Sequence, residues 1–253
     1  MASHRDAILD QFTRQAVPFS TSPGIKDEAA LELAIEACGA GADDTVLDVA
    51  CGPGILACAF ARVAKHVTGI DITPAMLHRA RQLQQERGLQ NVSWKLGDVV
   101  PLPFGNGAFS IVTSRFAFHH LLDPAGALRE MARVCRPGGR VMLIDAAPPP
   151  DRADAFNAME KLRDPSHARA LPLAELTGLF AKADLPAPRT SFYRLDAEVE
   201  GLLQRSFPNP GDDVKIRDMF RASLDDDRLG VGARRDGDTI RFAYPVAVLV
   251  ADR

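Results

Sequence analysis

The sequence predicts an α/β fold of the doubly wound kind, a mostly parallel sheet with helices on both faces. Three observations lead there. Five short runs, residues 45–50, 67–71, 92–96, 109–114 and 140–145, have the length and the β-branched or apolar content of strands. Helical patterns separate most of them, and parallel strands need such right-handed crossovers. The composition is ordinary for a globular chain: 253 residues, 46% apolar and 25% charged. That suffices for one large domain, or for a domain carrying an extra lobe.

The elements follow in order. Residues 2–17 place Ile8, Leu9 and Phe12 at helical spacing, and the turn-rich segment 19–24 reads as a hinge. A second helix over 26–38 ends at Gly39. After the first strand come a helix over 55–63, a strand, and a helix over 74–87 with Thr73 as N-cap, Pro74 at its first position and Gly88 closing it. A helix over 124–134 joins the fourth and fifth strands. Pro148, Pro149 and Pro150 then break the chain. Beyond them lie helical segments near 152–163, 173–183, 197–205 and 214–224, with strand-like pieces only at 190–195 and 240–250. The turn Asp236-Gly237-Asp238 introduces the last of these, and Pro245 inside it predicts a bulge or a sheet edge, because proline cannot donate to a ladder.

Charge and cysteines exclude several functions. With 30 basic against 33 acidic residues the net charge is -3, which offers no footprint for a phosphate backbone or an anionic lipid surface. Only 13 Phe, 2 Tyr and 1 Trp are aromatic, too few for a base-stacking platform. Cys38, Cys51, Cys58 and Cys135 form no C-x-x-C pair and no zinc spacing, so no metal is expected and they read as reduced core thiols of a cytoplasmic protein. The N-terminus has no apolar signal region, and the longest apolar stretch, 242–251, is too short for a bilayer.

Chemistry concentrates at Asp48-Val49-Ala50-Cys51-Gly52-Pro53-Gly54, where a strand turns into a helix. Glycines there let backbone amides approach a ligand closely. Gly52, Gly54 and Ala57 also satisfy the dinucleotide pattern G-x-G-x-x-G/A, and Asp71 stands where that pattern expects a ribose-binding acid. Three further features follow: Asp98 in Leu96-Gly97-Asp98-Val99; Leu102-Pro103-Phe104 with Phe109, leading into a strand that ends at Ser114 to His120; and the turn Arg133 to Gly139.

In that order these motifs resemble those of the class I S-adenosylmethionine-dependent methyltransferases, and more narrowly the small-molecule branch related to the ubiquinone/menaquinone-biosynthesis enzymes. The resemblance covers residues 12–145, and Arg163-Asp164-Pro165-Ser166-His167 is similar to a segment found in a subset of bacterial members. It implies a Rossmann-like, seven-stranded, mostly parallel sheet with the last strand antiparallel. It also implies S-adenosyl-L-methionine as cofactor, with Asp48 and the backbone of Ala50, Gly52 and Gly54 at the methionine end, Asp71 on the ribose, Ile72 and Met76 flanking the adenine, Asp98 and Val99 at its edge, and Ser114 nearby. The surplus of chain after residue 146 implies a helical cap. The expected division is 1–25 for a lid helix and hinge, 26–146 for the cofactor core, 147–239 for the cap with one core strand, and 240–253 for the last strand.

The expected activity is methyl transfer to oxygen, nitrogen or carbon of a small metabolite by a monomer or homodimer, with no nucleic acid or membrane involved. His119 or His120 is the candidate base, having an intrinsic pKa near working pH. Arg115 either anchors an anionic substrate or pairs with the cofactor carboxylate. Phe19, with Phe12, forms the lid, and Arg163 and His167 sit on a bend facing the acceptor, since Pro165 disfavours a continuous helix between them. The late tyrosines predict an aliphatic and modestly polar acceptor pocket, with Phe116, Phe118, Phe156 and Phe180 near the crevice. The alternative is an S-adenosylmethionine-binding protein that does not methylate, either a regulator or an enzyme such as a lyase or cyclase that reuses the site. A nicotinamide oxidoreductase is a weaker one, because Tyr193 and Tyr244 are followed four residues on by Ala197 and Val248 rather than by the lysine of Tyr-x-x-x-Lys.

Overall fold

The computed structural model describes residues 3–253, so Ala2, where the first helix was expected to begin, lies outside the described residues. Helix α1 (His4–Ser20) starts with a capping box, in which Ser3 and Asp6 satisfy each other's backbone N–H groups. It runs through Pro18, so Phe19 belongs to its last turn and not to the hinge expected from 19–24. Helix α2 (Glu28–Cys38) is capped by Asp27 and closed by Gly39 in the left-handed conformation.

The core alternates as the sequence requires: β1 (Thr45–Val49), α3 (Ile55–Phe60), β2 (His66–Asp71), α4 (Pro74–Glu86), β3 (Val92–Leu96), β4 (Phe109–Arg115), α5 (Pro124–Val134) and β5 (Cys135–Ala146). A short 3-10 turn, Phe118–His120, follows β4. Then come α6 (Ala153–Arg163), α7 (Leu173–Lys182), β6 (Arg189–Glu198), α8 (Val199–Gln204), α9 (Asp212–Asp226), β7 (Arg234–Asp236) and β8 (Thr239–Asp252).

The sheet order is β3-β2-β1-β4-β5-β8-β6, with β7 added as a hairpin on β8. Strands β1 to β5 pair in parallel, and β8 runs antiparallel to both β5 and β6. Pro245 therefore lies in an interior strand, in unbroken register opposite Arg194, without the expected bulge or edge. The reason is local. The Pro245 carbonyl accepts from the Ala147 N–H just past the end of β5, so its nitrogen faces the point where that ladder stops and no strand donor is lost.

Helices α5 and α7 cover one face of the sheet, burying Leu128, Met131 and Phe180 against Leu47, Val112 and Leu143. Helices α2 and α3 cover the other, with Leu31 and Phe60 against Val46, Ile111 and Ile144. A third cluster joins Phe156 and Met159 of α6 to Phe220 of α9 and Phe242 of β8. Each such buried side chain contributes about 1.5–3 kcal/mol. Trp94 fixes two glycines. A Cβ on Gly54 or Gly69 would lie 2.5 Å from its ring, so the turn after β1 can press onto β2 and β3 only because both positions lack a side chain.

Candidate active site

Strand β1 leads on to β2 and β3 while β4 leads the other way to β5, so their carboxyl ends open a crevice at the topological switch point. Ala50, Gly52 and Gly54 in the turn after β1 all have positive φ, at 53°, 52° and 77°. At Ala50 this costs about 1–3 kcal/mol, a strain that persists only where the surroundings enforce it. Phe116, just past β4 on the opposite wall, is strained likewise, with φ of 56°.

Asp48 is 1% exposed, and its Oδ2 has no hydrogen-bond partner. Burial pushes its carboxyl up to about 8. Arg115 donates from Nη1 to the Ile25 carbonyl at 3.0 Å, while its buried Nε and Nη2 have no acceptor. Both residues line a narrow cleft with Phe19, Ile25, Ala50 and Cys51.

Asp71 ties the crevice together, accepting from the Gly52 N–H through Oδ2 and from the Thr73 N–H through Oδ1, both at 2.8 Å. Burial raises its carboxyl despite those two donors. Met76 is buried beneath Gly52, and Ile72 stands half-buried beside it. Asp98 accepts from the Val99 N–H at 2.7 Å and pairs with Arg5 of α1 at 2.5 Å, so α1 already engages that edge of the crevice. Ser114 is turned to another use: its hydroxyl donates to the Val49 carbonyl at 2.8 Å, pinning β4 to β1.

A second, larger cavity of about 350 Å³ adjoins the cleft and shares Phe19, Ile25 and Phe116 with it. His119, His120, Arg163 and His167 all line this cavity, whereas Arg115 lines only the cleft. Its walls are aromatic, with Phe12, Phe19, Phe116, Phe156 and Tyr244, not the aliphatic surface expected. Phe118 and Phe180 belong to the packed core instead.

His119 donates from Nδ1 to Asp145 Oδ1 at 2.5 Å, and Asp145 also accepts from the Ala146 N–H at 2.7 Å. Burial would lower the pKa of His119, but the Asp145 carboxylate outweighs it and the net shift is upward. Burial likewise opposes ionisation of Asp145, yet His119 and the nearby amides hold it low. Its neighbours behave differently. Burial, with His119 alongside, pushes His120 down and takes His167 to about 4.

Below the histidines, Glu160 accepts from the Tyr244 hydroxyl at 2.7 Å and from Arg163 Nη2 at 2.6 Å. Asp145, Glu160 and Tyr244 escape the sequence reading. Asp145 alone left a signal, being an acid at the carboxyl end of a strand beside the switch point. Helix α1 reaches the same cluster through Gln15, which donates to Asp164 at 2.9 Å. Among the described residues, no group of three or more His, Cys, Asp or Glu is arranged to hold a metal ion. Among the described residues, no helix is long and apolar enough to cross a membrane.

Comparison with known proteins decides the family. A methyltransferase-domain family profile matches residues 47–143, which span β1 to β5. The uncharacterized methyltransferase YcgJ of Bacillus subtilis is 33% identical over 243 residues, covering 94% of this chain and 96% of its own. The chain belongs to the S-adenosylmethionine-dependent methyltransferases. The crystal structure of YcgJ superposes on this methyltransferase with a TM-score of 0.81 and 29% identity, over 89% of this chain and 99% of the other. A demethylmenaquinone methyltransferase of Thermus thermophilus is 40% identical over 126 residues, covering 49% of this chain and 55% of its own. With the family settled, the dinucleotide reading of the glycine loop is set aside.

The methyltransferase cleft suits the amino-acid end of S-adenosylmethionine by charge. It holds a buried carboxylate oxygen that lacks a donor and two buried guanidinium nitrogens that lack an acceptor, and an ammonium and a carboxylate supply one of each.

Proposed function

We propose that this methyltransferase methylates a small, largely apolar acceptor whose proton is removed by His119. The observation that carries the reading is His119, paired with Asp145, in the wall of an aromatic-lined cavity adjoining the Asp48 cleft. Asp145 orients the imidazole and stabilises the cation it becomes, while Nε2 faces no partner among the described residues. When bound, S-adenosylmethionine supplies an electrophilic methyl on a sulfonium.

The chain's own residues bind and align. Asp48 takes the ammonium and Arg115 the carboxylate, which chooses between the two uses expected of Arg115. Asp71 has lone pairs left for the ribose hydroxyls, Ile72 and Met76 flank the adenine, and Asp98 and Val99 meet its edge once Arg5 yields. Phe12 and Phe19 on α1 close the cavity against water, so residues 1–25 act as lid and hinge, 26–146 as core, 147–239 as cap and 240–253 as last strand. Much of the acceleration then comes from alignment and from exclusion of water.

A small acceptor fits the cavity volume, and one relative is named a demethylmenaquinone methyltransferase. The enzyme works in the cytoplasm as a monomer or homodimer, where its four buried free thiols stay reduced. The test is release of S-adenosylhomocysteine against a panel of small hydroxylated, amino and carbon-acid metabolites. Turnover that is lost in His119→Ala supports the reading; turnover only on protein or nucleic acid contradicts it.

A further inference from the structure

The hydrogen bonds around the three cavity histidines settle which ring nitrogen of each carries the proton. Asn157 donates from Nδ2 to the Ala153 and Ala170 carbonyls and accepts from the Ala170 N–H at Oδ1, which fixes the orientation of its amide. Its Oδ1 also lies 2.7 Å from His167 Nε2. That nitrogen must therefore be the donor, and His167 Nδ1 is a bare acceptor, buried and without a partner.

Ser166 leads to the same result at His120. Its hydroxyl donates to Asp164 Oδ1 at 2.6 Å, so toward His120 Nδ1, 3.2 Å away, it can only accept. The Ser166 carbonyl accepts from that same nitrogen at 3.1 Å. His120 thus carries its proton on Nδ1 and leaves Nε2 bare, with no hydrogen bond among the described residues. His119 donates from Nδ1 to Asp145, and its Nε2 has no partner among the described residues.

These rings are neighbours, with centroids 4.3 Å apart for His119 and His120 and 5.6 Å apart for His119 and His167. Near them the Tyr244 hydroxyl donates to Glu160 and Gln15 Nε2 to Asp164, while Arg163 donates to Glu160 from Nε and Nη2 and keeps further N–H groups. At His120 and His167 the ring nitrogens left over are acceptors.

We propose that His120 is a specificity-determining residue that accepts a hydrogen bond from a second hydroxyl on the methyl acceptor, beside the one His119 deprotonates. The acceptor class is an aromatic compound with two adjacent hydroxyls. The aromatic walls receive its ring, and His167 supplies a further acceptor behind the pair. This rests on His119 being the base, but it adds a requirement that a base alone does not impose. A site built to receive a hydroxyl discriminates strongly against an analogue lacking it, because the buried nitrogen is then left unpaired.

The test uses the enzyme saturated with S-adenosylhomocysteine and titrated with catechol and with phenol, together with ¹⁵N NMR of the histidine rings. Catechol should bind at least tenfold more tightly than phenol, and His120→Phe should erase the difference. If that variant does not fold, the wild-type spectra carry the test: His120 should be protonated at Nδ1, and its Nε2 resonance should move with catechol and not with phenol. Equal affinity for the two phenols, or a proton on His120 Nε2, overturns the proposal. A catechol preference that persists in His119→Ala supports it, and methyl transfer surviving in that variant counts against the base alone.

Discussion

His119 Nδ1 and Asp145 Oδ1 lie 2.5 Å apart, joining the turn after β4 to the end of β5. The carboxylate fixes the tautomer, so only Nε2 is left to take a proton. We expect His119→Ala to lower kcat by roughly 10²–10⁴ and to leave the cofactor dissociation constant unchanged. In Asp145→Asn the imidazole loses the partner that raises its pKa, so the acidic limb of kcat/KM should move to lower pH and kcat should fall. Steady-state kinetics across pH beside calorimetric titration of the cofactor checks both. A lost cofactor affinity in either variant contradicts the assignment.

The unpaired groups of Asp48 and Arg115 make the cofactor site sensitive to charge. Arg115→Leu removes a charge-assisted contact of about 1.5–3 kcal/mol, a weakening of roughly 10- to 150-fold. Asp71→Ala should also cost affinity, through the ribose and through loss of the Gly52 and Thr73 contacts. Asp48, pushed up to about 8, must ionise to hold an ammonium, so binding releases a proton below that pH and affinity rises as the pH approaches it. Calorimetry in buffers of different ionisation enthalpy reads the proton directly, and Asp48→Asn should abolish it.

Trp94 is the one tryptophan in the chain, and its ring rests against Gly54 of the cofactor turn. Its emission should therefore change saturably with S-adenosylmethionine, giving the same dissociation constant as calorimetry. Gly54→Ala puts a methyl 2.5 Å from that ring and 2.9 Å from Ala80 Cβ at a position with φ of 77°. We expect a folded but destabilised protein with weakened cofactor binding. Unaltered binding in that variant would mean that the turn does not shape the site.

The cofactor half was legible because its demands are local. Val49 to Gly54 spells out a strand, a tight turn and a helix start in one short string, and Asp71 follows at the next strand end. The acceptor half was only partly legible. His119 and His167 were visible as residue types, but Asp145 meets His119 across 26 positions and Tyr244 meets Glu160 across 84, so topology alone brings them together. Helix α1 outran its expected end by continuing through Pro18 to Ser20, and the aromatic lining came as much from α1 and β8 as from the crevice strands.

The neutral histidines predict how stability depends on pH. His167 is depressed to about 4 and His120 is depressed as well, so both prefer to stay uncharged in the folded state. Their contribution is fully present above the unfolded pKa near 6.5 and is lost as the pH falls toward the folded values. His119 is raised and acts in the opposite sense, its contribution fading as the pH rises through its folded pKa. Stability should peak near neutrality and fall by up to about 1.4 kcal/mol per pH unit for each depressed histidine on the acid side. Urea midpoints between pH 7 and 5 check this; a flat profile contradicts it.

The central claim is methyl transfer to a small molecule with His119 as base, and one experiment meets it directly. The enzyme is incubated with methyl-labelled S-adenosylmethionine and a protein-free metabolite extract, and the small-molecule fraction is resolved by mass spectrometry. The expected result is label in a discrete low-mass product with wild-type protein and its loss in His119→Ala, with cofactor affinity equal in the two. Label transferred equally by both proteins, or label found only in macromolecules when these are supplied, would contradict the account.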